Sequence, residues 1–382
     1  RLGALTASTH VRRARAARFA LLSAVLSITA TGSRGRLAGL YRISRVRPSS
    51  GIVQAHVVVK SGITPRFETM IIRERPSGLR LFLVLRGSVL QRIRLTLLLN
   101  ILLATLVTIV HGNLFSIKIT LTAIPFTLIG LPLAIFLGFR NTTAYDRYWE
   151  ARKLWGEIVH RARSLSRQCQ GFLQIPDPID STHRETDARV RMVHRTIAFV
   201  HALRLQLRNQ RDEAPLQKWL TCAEFESVRA AQDPTSTLML HMGRDLGACV
   251  RSGQIDPCLA ATMDATLSSL TASAASCERI KNTPIPFSYT LLLHRTAYMY
   301  CFLLPFGLVD TTGFMTPFVV GIVAYTFFGL DALGDEIEEP FGLESNDLPL
   351  DTLCRAIEIN LCESLGEKDL PLPLQATNFQ LT

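Results

Sequence analysis

The stretch from Ile119 to Glu157, ITLTAIPFTLIGLPLAIFLGFRNTTAYDRYWEARKLWGE, restricts the folds open to this chain more than any other. Its first twenty-one residues, through Phe139, carry no ionisable side chain. That is about the length a helix needs to cross the ~30 Å hydrocarbon core of a bilayer. Arg140, Asp146, Arg147, Glu150, Arg152, Lys153 and Glu157 follow at once. A single helix that leaves lipid and continues into water has this pattern. The composition agrees: 48% of residues are hydrophobic with a mean hydropathy of +0.21, yet 19% are charged. That mixture fits neither a bundle wholly inside the membrane nor an ordinary soluble enzyme.

Three further apolar runs complete the pattern. Leu95–Val110 is uncharged and follows Arg92 and Arg94, a basic flank that marks a cytoplasmic entry. The connector His111–Lys118 suits a tight hairpin on the outer side. Pro284–Val309 is apolar except for His294 and Arg295, a pair expected at the membrane interface, and Thr311–Leu330 follows a short turn at Asp310–Gly313. The seven basic residues between Arg140 and Arg167 place the exit of the opening helix in the cytoplasm as well. The expected fold is therefore an all-α membrane protein with spans near 95–110, 119–139, 290–309 and 311–330. A helical cytosolic region takes in 140–283 and 331–382, both termini are cytoplasmic, and the inner (plasma) membrane is the expected location. Within that region Val190–Leu207 keeps apolar residues three and four apart, Pro176, Pro178 and Pro234 break helices, and Pro215 opens one.

The net charge of +11 would suggest a nucleic-acid partner if it were spread over the molecule. It is not. Residues 1–69 hold twelve basic side chains and a single acid, Glu68, while the rest of the chain is neutral overall. Residues 1–69 are expected to be an extension with no share in the fold, Met70 opening the functional part of the sequence. A targeting segment built on the apolar patch Phe19–Ala30 is the alternative. Eight cysteines, at 169, 222, 249, 258, 277, 301, 354 and 362, include no CxxC pair, so they read as reduced thiols.

No nucleophile elbow, phosphate loop, HExxH or dinucleotide fingerprint occurs in a workable context, and the histidines have no metal-ligand spacing. No enzyme activity, cofactor or metal is expected. What remains specific is a stripe on the opening helix: Leu131, Ile135 and Phe139 stand four residues apart and share one face, with Gly130 and Gly138 permitting close approach of other helices. Arranged around an axis by several subunits, such a stripe forms a hydrophobic constriction that gates by expelling water. Ordinary helix packing would use the same periodicity.

Three segments, Phe136–Glu157, Cys277–Val309 and Asp335–Asp351, occur in an order that resembles the bestrophin family in its bacterial branch. The resemblance runs from about Met70 to the C-terminal helix. It implies a homopentameric channel in the lipid bilayer, with four transmembrane helices per subunit and one axial pore for small inorganic ions, chloride or monovalent cations. The family's pore neck falls on Leu131, Ile135 and Phe139, and its cytosolic aperture on Ile255. Arg140, Arg147, Trp149 and Trp155 would couple the neck to the cytosolic region. After Pro340-Phe341-Gly342 the sequence Leu343–Asp347 lacks the acidic run with which animal members clasp calcium, so calcium activation is not expected. Asp335, Glu336, Glu338 and Glu339 would form a solvated face or intersubunit ion pairs with Arg147–Lys153. The alternative is a membrane-anchored scaffold that conducts nothing. A membrane enzyme built on His294, Arg295 and Asp310 is disfavoured by the distance along the helix between the pair and the acid.

Overall fold

The computed structural model describes residues 78, 87–110, 113–114, 117–118, 122–175 and 186–376. The basic segment 1–69, Met70, the first residues of the opening stretch and the prolines at 176 and 178 lie outside them. The described elements are α1 (Leu90–Ile109), β1 (Asn113–Leu114), β2 (Ile117–Lys118), α2 (Ala123–Phe172), α3 (Ala188–Leu207), α4 (Ala214–Gln217), α5 (Cys222–Arg229), α6 (Pro234–Arg251), α7 (Pro257–Asn282), α8 (Phe287–Thr312), α9 (Thr316–Glu338) and α10 (Leu350–Ser364). The connector after α1 is an antiparallel hairpin in which Asn113 pairs with Lys118 and Leu114 with Ile117.

The opening stretch is one continuous helix. At 1.5 Å per residue the 50 residues of α2 extend roughly 75 Å, more than twice the hydrocarbon thickness of a bilayer. It begins at Ala123 rather than Ile119, because strand β2 takes the chain up to Lys118. Its buried positions Phe126, Leu133, Leu137, Ala144, Ala151 and Trp155 stand four or seven residues apart and so share one face. One face of α2 packs against the rest of the chain throughout, and the opposite face packs against nothing in the protomer.

Three segments among the described residues are long and apolar enough to cross a membrane: Leu90–Ile109, Ile124–Phe172 and Phe287–Glu338. The third holds both α8 and α9. The turn between them is a 3-10 turn at Gly313–Met315, three residues later than the sequence suggested, so Asp310 lies in the last turn of α8. Gly313 adopts φ +51°, a conformation that favours glycine and that reverses the chain there. Side-chain contacts fix the register of the apolar helices. Ala104, Phe126, Leu304 and Val320 form one cluster, so the end of α1, the start of α2, the end of α8 and the start of α9 lie at one level. Ile93, Cys301, Ala324, Phe328 and Ala332 form a second cluster. Consecutive helices therefore alternate in direction.

The larger core belongs to the helical region formed by the second half of α2 with α3, α6, α7 and α10. Helix α3 departs from the amphipathic pattern read in Val190–Leu207, because it is buried on nearly every side. Its arginines are buried with partners: Arg195 pairs with Glu224 and with Asp245 at 2.9 Å, and Arg189 with Asp187 at 2.9 Å. Pro234 does not break a helix but begins one, behind Asp233, whose side chain accepts the Ser236 N–H. Pro215 lies in the first turn of the short α4, as expected.

Candidate functional site

Leu131, Ile135 and Phe139 lie on the unpacked face of α2, with exposures of 66%, 47% and 61%. The opposite face at the same level is closed, with Leu133 and Leu137 packed against Leu293 and Ala297 of α8. Three large apolar side chains in a row therefore point away from their own subunit. Trp149, 49% exposed, continues the row. Its side chain lies on the open face of α2. Trp155, by contrast, is fully buried in the core of the helical region.

Ile255 differs more sharply from expectation. It is 2% exposed and packs in the core of the helical region, just before the N-terminus of α7. Within the protomer that side chain packs inward among the other apolar residues of the region. The exposed apolar side chain nearest in sequence is Leu259, in the first turn of α7.

At the level where α2 turns from apolar to charged lies a dense polar junction. Arg140 has no solvent exposure. Its Nη1 donates to Asp331 Oδ1 at 2.8 Å, its Nη2 to Asp335, and Glu338 Oε2 lies 3.7 Å away. Asp331 is also in contact with His294, Nδ1 to Oδ2 at 2.6 Å, and the His294 ring stacks on Tyr298 at 4.2 Å. A buried guanidinium costs several kcal/mol unless its charge and donors are matched, and here carboxylates from three successive turns of α9 surround it. Asn141 donates to the Leu330 carbonyl at 3.1 Å. Close approach is possible because Gly334 has no side chain: a Cβ there would stand 2.4 Å from Asn141 Oδ1 and 3.4 Å from Arg140 Cζ.

Two turns further along, Arg147 donates to the Glu338 carbonyl at 3.2 Å, to the Ile280 carbonyl at 2.7 Å and to the Thr283 carbonyl. These are carbonyls at the C-terminal ends of α7 and α9, which lack partners within their helices. Glu338 in turn accepts the Ile285 N–H at 3.0 Å, and Arg279 donates to Glu150 at 2.5 Å. Thus Arg140 and Arg147 fasten α2 to the ends of α7 and α9, directly below the apolar row. Of the acidic run of α9, Asp335 and Glu338 are bound to Arg140 of the same chain and Glu336 to Asn346, while Glu339 is exposed. Asp331 was the residue missed in the sequence. Its signal was its position, the first acid after the uncharged run Thr311–Leu330. His294 and Asp310 lie sixteen residues apart on α8, on the order of 24 Å, so no catalytic cluster joins them.

The loop after α9 places Asp347 almost fully buried, its Oδ2 accepting the Glu344 N–H at 2.6 Å. Burial, with Glu344 and Glu336 nearby, pushes its carboxyl up to about 7. Arg92, just before the apolar part of α1, reaches across to Glu344 at 2.9 Å. Among the described residues no group of three or more His, Cys, Asp or Glu side chains could hold a metal ion.

Residues 70–363 match the family described as Bacterial/Fungal Bestrophin protein. A voltage-dependent anion channel-forming protein of Mesorhizobium japonicum is 44% identical over 312 residues, 81% of this chain and 97% of that protein. The voltage-dependent anion channel-forming protein YneE of Escherichia coli K12 is 42% identical over 314 residues, 82% of this chain and 100% of the relative. A crystal structure of a bacterial bestrophin homolog from Klebsiella pneumoniae superposes with a TM-score of 0.68 at 39% identity, covering 72% of this chain and 100% of that one.

Proposed function

Because the chain belongs to the bacterial bestrophin family, we propose that it is a passive anion channel of the plasma membrane and not an enzyme. It would be built as a homopentamer with four transmembrane helices per subunit and both termini in the cytoplasm. The observation that carries this is the row Leu131, Ile135, Phe139: three large apolar side chains left exposed by their own subunit on a helix whose other face is packed. Five copies of α2 around an axis bring these side chains together and remove them from solvent. The ring they form is narrow and presents no charge or carbonyl, so it admits ions only when wetted.

The relatives named as anion channel-forming proteins support anions as the conducted species. In this scheme the neck is a barrier with little discrimination among ions of one sign, and charge selectivity comes from the polar parts of the pathway. The junction at Arg140 and Arg147 has a mechanical role: it holds the neck segment of α2 to α9 and α7, so a shift in the cytosolic helices moves the neck. The loop 343–347 is spoken for by the Asp347–Glu344 and Arg92–Glu344 contacts, and channel opening is independent of calcium. The test is ion flux from proteoliposomes holding the purified protein. Chloride efflux driven by a gradient is expected. A folded oligomer that passes no ions would instead fit a membrane-anchored scaffold.

A further inference from the structure

Which side chains of α2 an ion meets after the neck follows from helix geometry. Eighteen residues make five turns, so Trp149 repeats the azimuth of Leu131, and Lys153 that of Ile135. Asp146, eleven residues after Ile135, falls about 20° from it. Asp146 and Lys153 are both exposed, and among the described residues neither makes an ion pair or a hydrogen bond. The other acids close to this face are paired: Glu150, eleven residues after Phe139, with Arg279 and Glu157 with Arg161, each at 2.5 Å. Arg167 is further along, roughly 42 Å from Phe139.

Distance then decides which charges matter. Asp146 stands ~10 Å and Lys153 ~21 Å along the helix from Phe139. The Debye length is about 8–10 Å at physiological ionic strength, so the field of Arg167 is screened out before the neck, whereas Asp146 acts on the neck itself and Lys153 on the space just below it. The two are also about one Debye length apart and act separately.

We infer that Asp146 and Lys153 are the charge-selectivity determinants of the pathway, forming two successive rings of opposite sign on the pore face of α2. Nothing in the apolar neck can take that part. The inference rests on the channel function proposed above and assigns the selecting residues within it. The Lys153 ring raises the local concentration of anions below the neck, and the Asp146 ring opposes their passage at its mouth. The balance of the two sets the permeability ratio of the channel, and neither is needed for its opening.

The test is the anion-to-cation permeability ratio, from reversal potentials across a tenfold salt gradient, for Asp146→Asn, Lys153→Gln and Arg152→Gln. Asp146→Asn is expected to raise the ratio and Lys153→Gln to lower it, each by several-fold and up to about tenfold in dilute salt. Both shifts should shrink when the dilute side is raised to 1 M, where the Debye length is about 3 Å. Arg152→Gln removes the same charge as Lys153→Gln, but about 100° round the helix, and should shift the ratio less. Wild-type protein that carries no current would overturn the channel function itself. Wild-type current with an unchanged ratio in both Asp146→Asn and Lys153→Gln, shifts in the same direction, or an equal effect of Arg152→Gln would overturn this inference and leave the channel standing.

Discussion

Replacing Arg140 with Met tests the junction beneath the neck directly. The wild-type guanidinium is fully buried and serves Asp331, Asp335 and Glu338 together. Its loss leaves three carboxylates on one stretch of α9 without their guanidinium, and His294 reaches only Asp331. Breaking a buried ion pair by removing one partner costs about 3–5 kcal/mol. Asp335 is partly exposed and can regain water, so most of the penalty falls on Asp331, and we expect the lower half of that range. In a chain of this size that corresponds to a melting temperature lower by roughly 4–7 °C, measured on the purified oligomer in detergent. The same reasoning predicts rescue. In Arg140→Met with Asp331→Leu, the buried charge and its main counter-charge disappear together, and the double variant should be more stable than Arg140→Met alone by about 1–2 kcal/mol. A single variant within about 0.5 kcal/mol of wild type, or additive losses in the double, would refute the view that this pair is a matched buried clamp.

Three further outcomes follow from the geometry. Ile135→Ala and Phe139→Ala widen the neck and should raise single-channel conductance in reconstituted bilayers, with unchanged currents from both removing the neck assignment. Gly334→Ala drives a Cβ to 2.4 Å from Asn141 Oδ1 and should destabilise the oligomer by about 1–3 kcal/mol through overpacking, seen as a lower melting temperature. Asp347 holds a proton in the folded chain up to about pH 7, whereas the unfolded carboxyl loses it near 3.8. Folding therefore weakens as pH rises from about 4 to about 7, by on the order of 2–4 kcal/mol. Asp347→Asn should flatten that slope in thermal melts recorded across this range.

The membrane helices were legible because burial in lipid demands long uncharged runs, and the long helix through Phe139 into Glu157 could be read from the abrupt change in composition alone. Helix ends were less legible. The turn after α8 appeared to follow the charge at Asp310, yet it forms where Gly313 allows a positive φ, three residues on. The stripe Leu131–Ile135–Phe139 was visible as periodicity, but periodicity does not distinguish a packed face from an open one; only the burial of Leu133 and Leu137 opposite makes that distinction. The burial of Ile255 was not legible for the same reason, since an isolated isoleucine in a turn has no period to reveal which way it faces. Asp331 escaped notice, and the partner of Glu338 was not legible, because Arg140 is nearly two hundred positions away in sequence, and such pairs depend on the tertiary register of α2 against α9.

The most direct test of the whole account is a planar-bilayer recording of the purified protein under asymmetric potassium chloride. The account predicts single-channel currents that reverse toward the chloride equilibrium potential and whose unitary size rises in Phe139→Ala. A correctly assembled oligomer that stays electrically silent, or a current that reverses toward the potassium equilibrium potential, would contradict it.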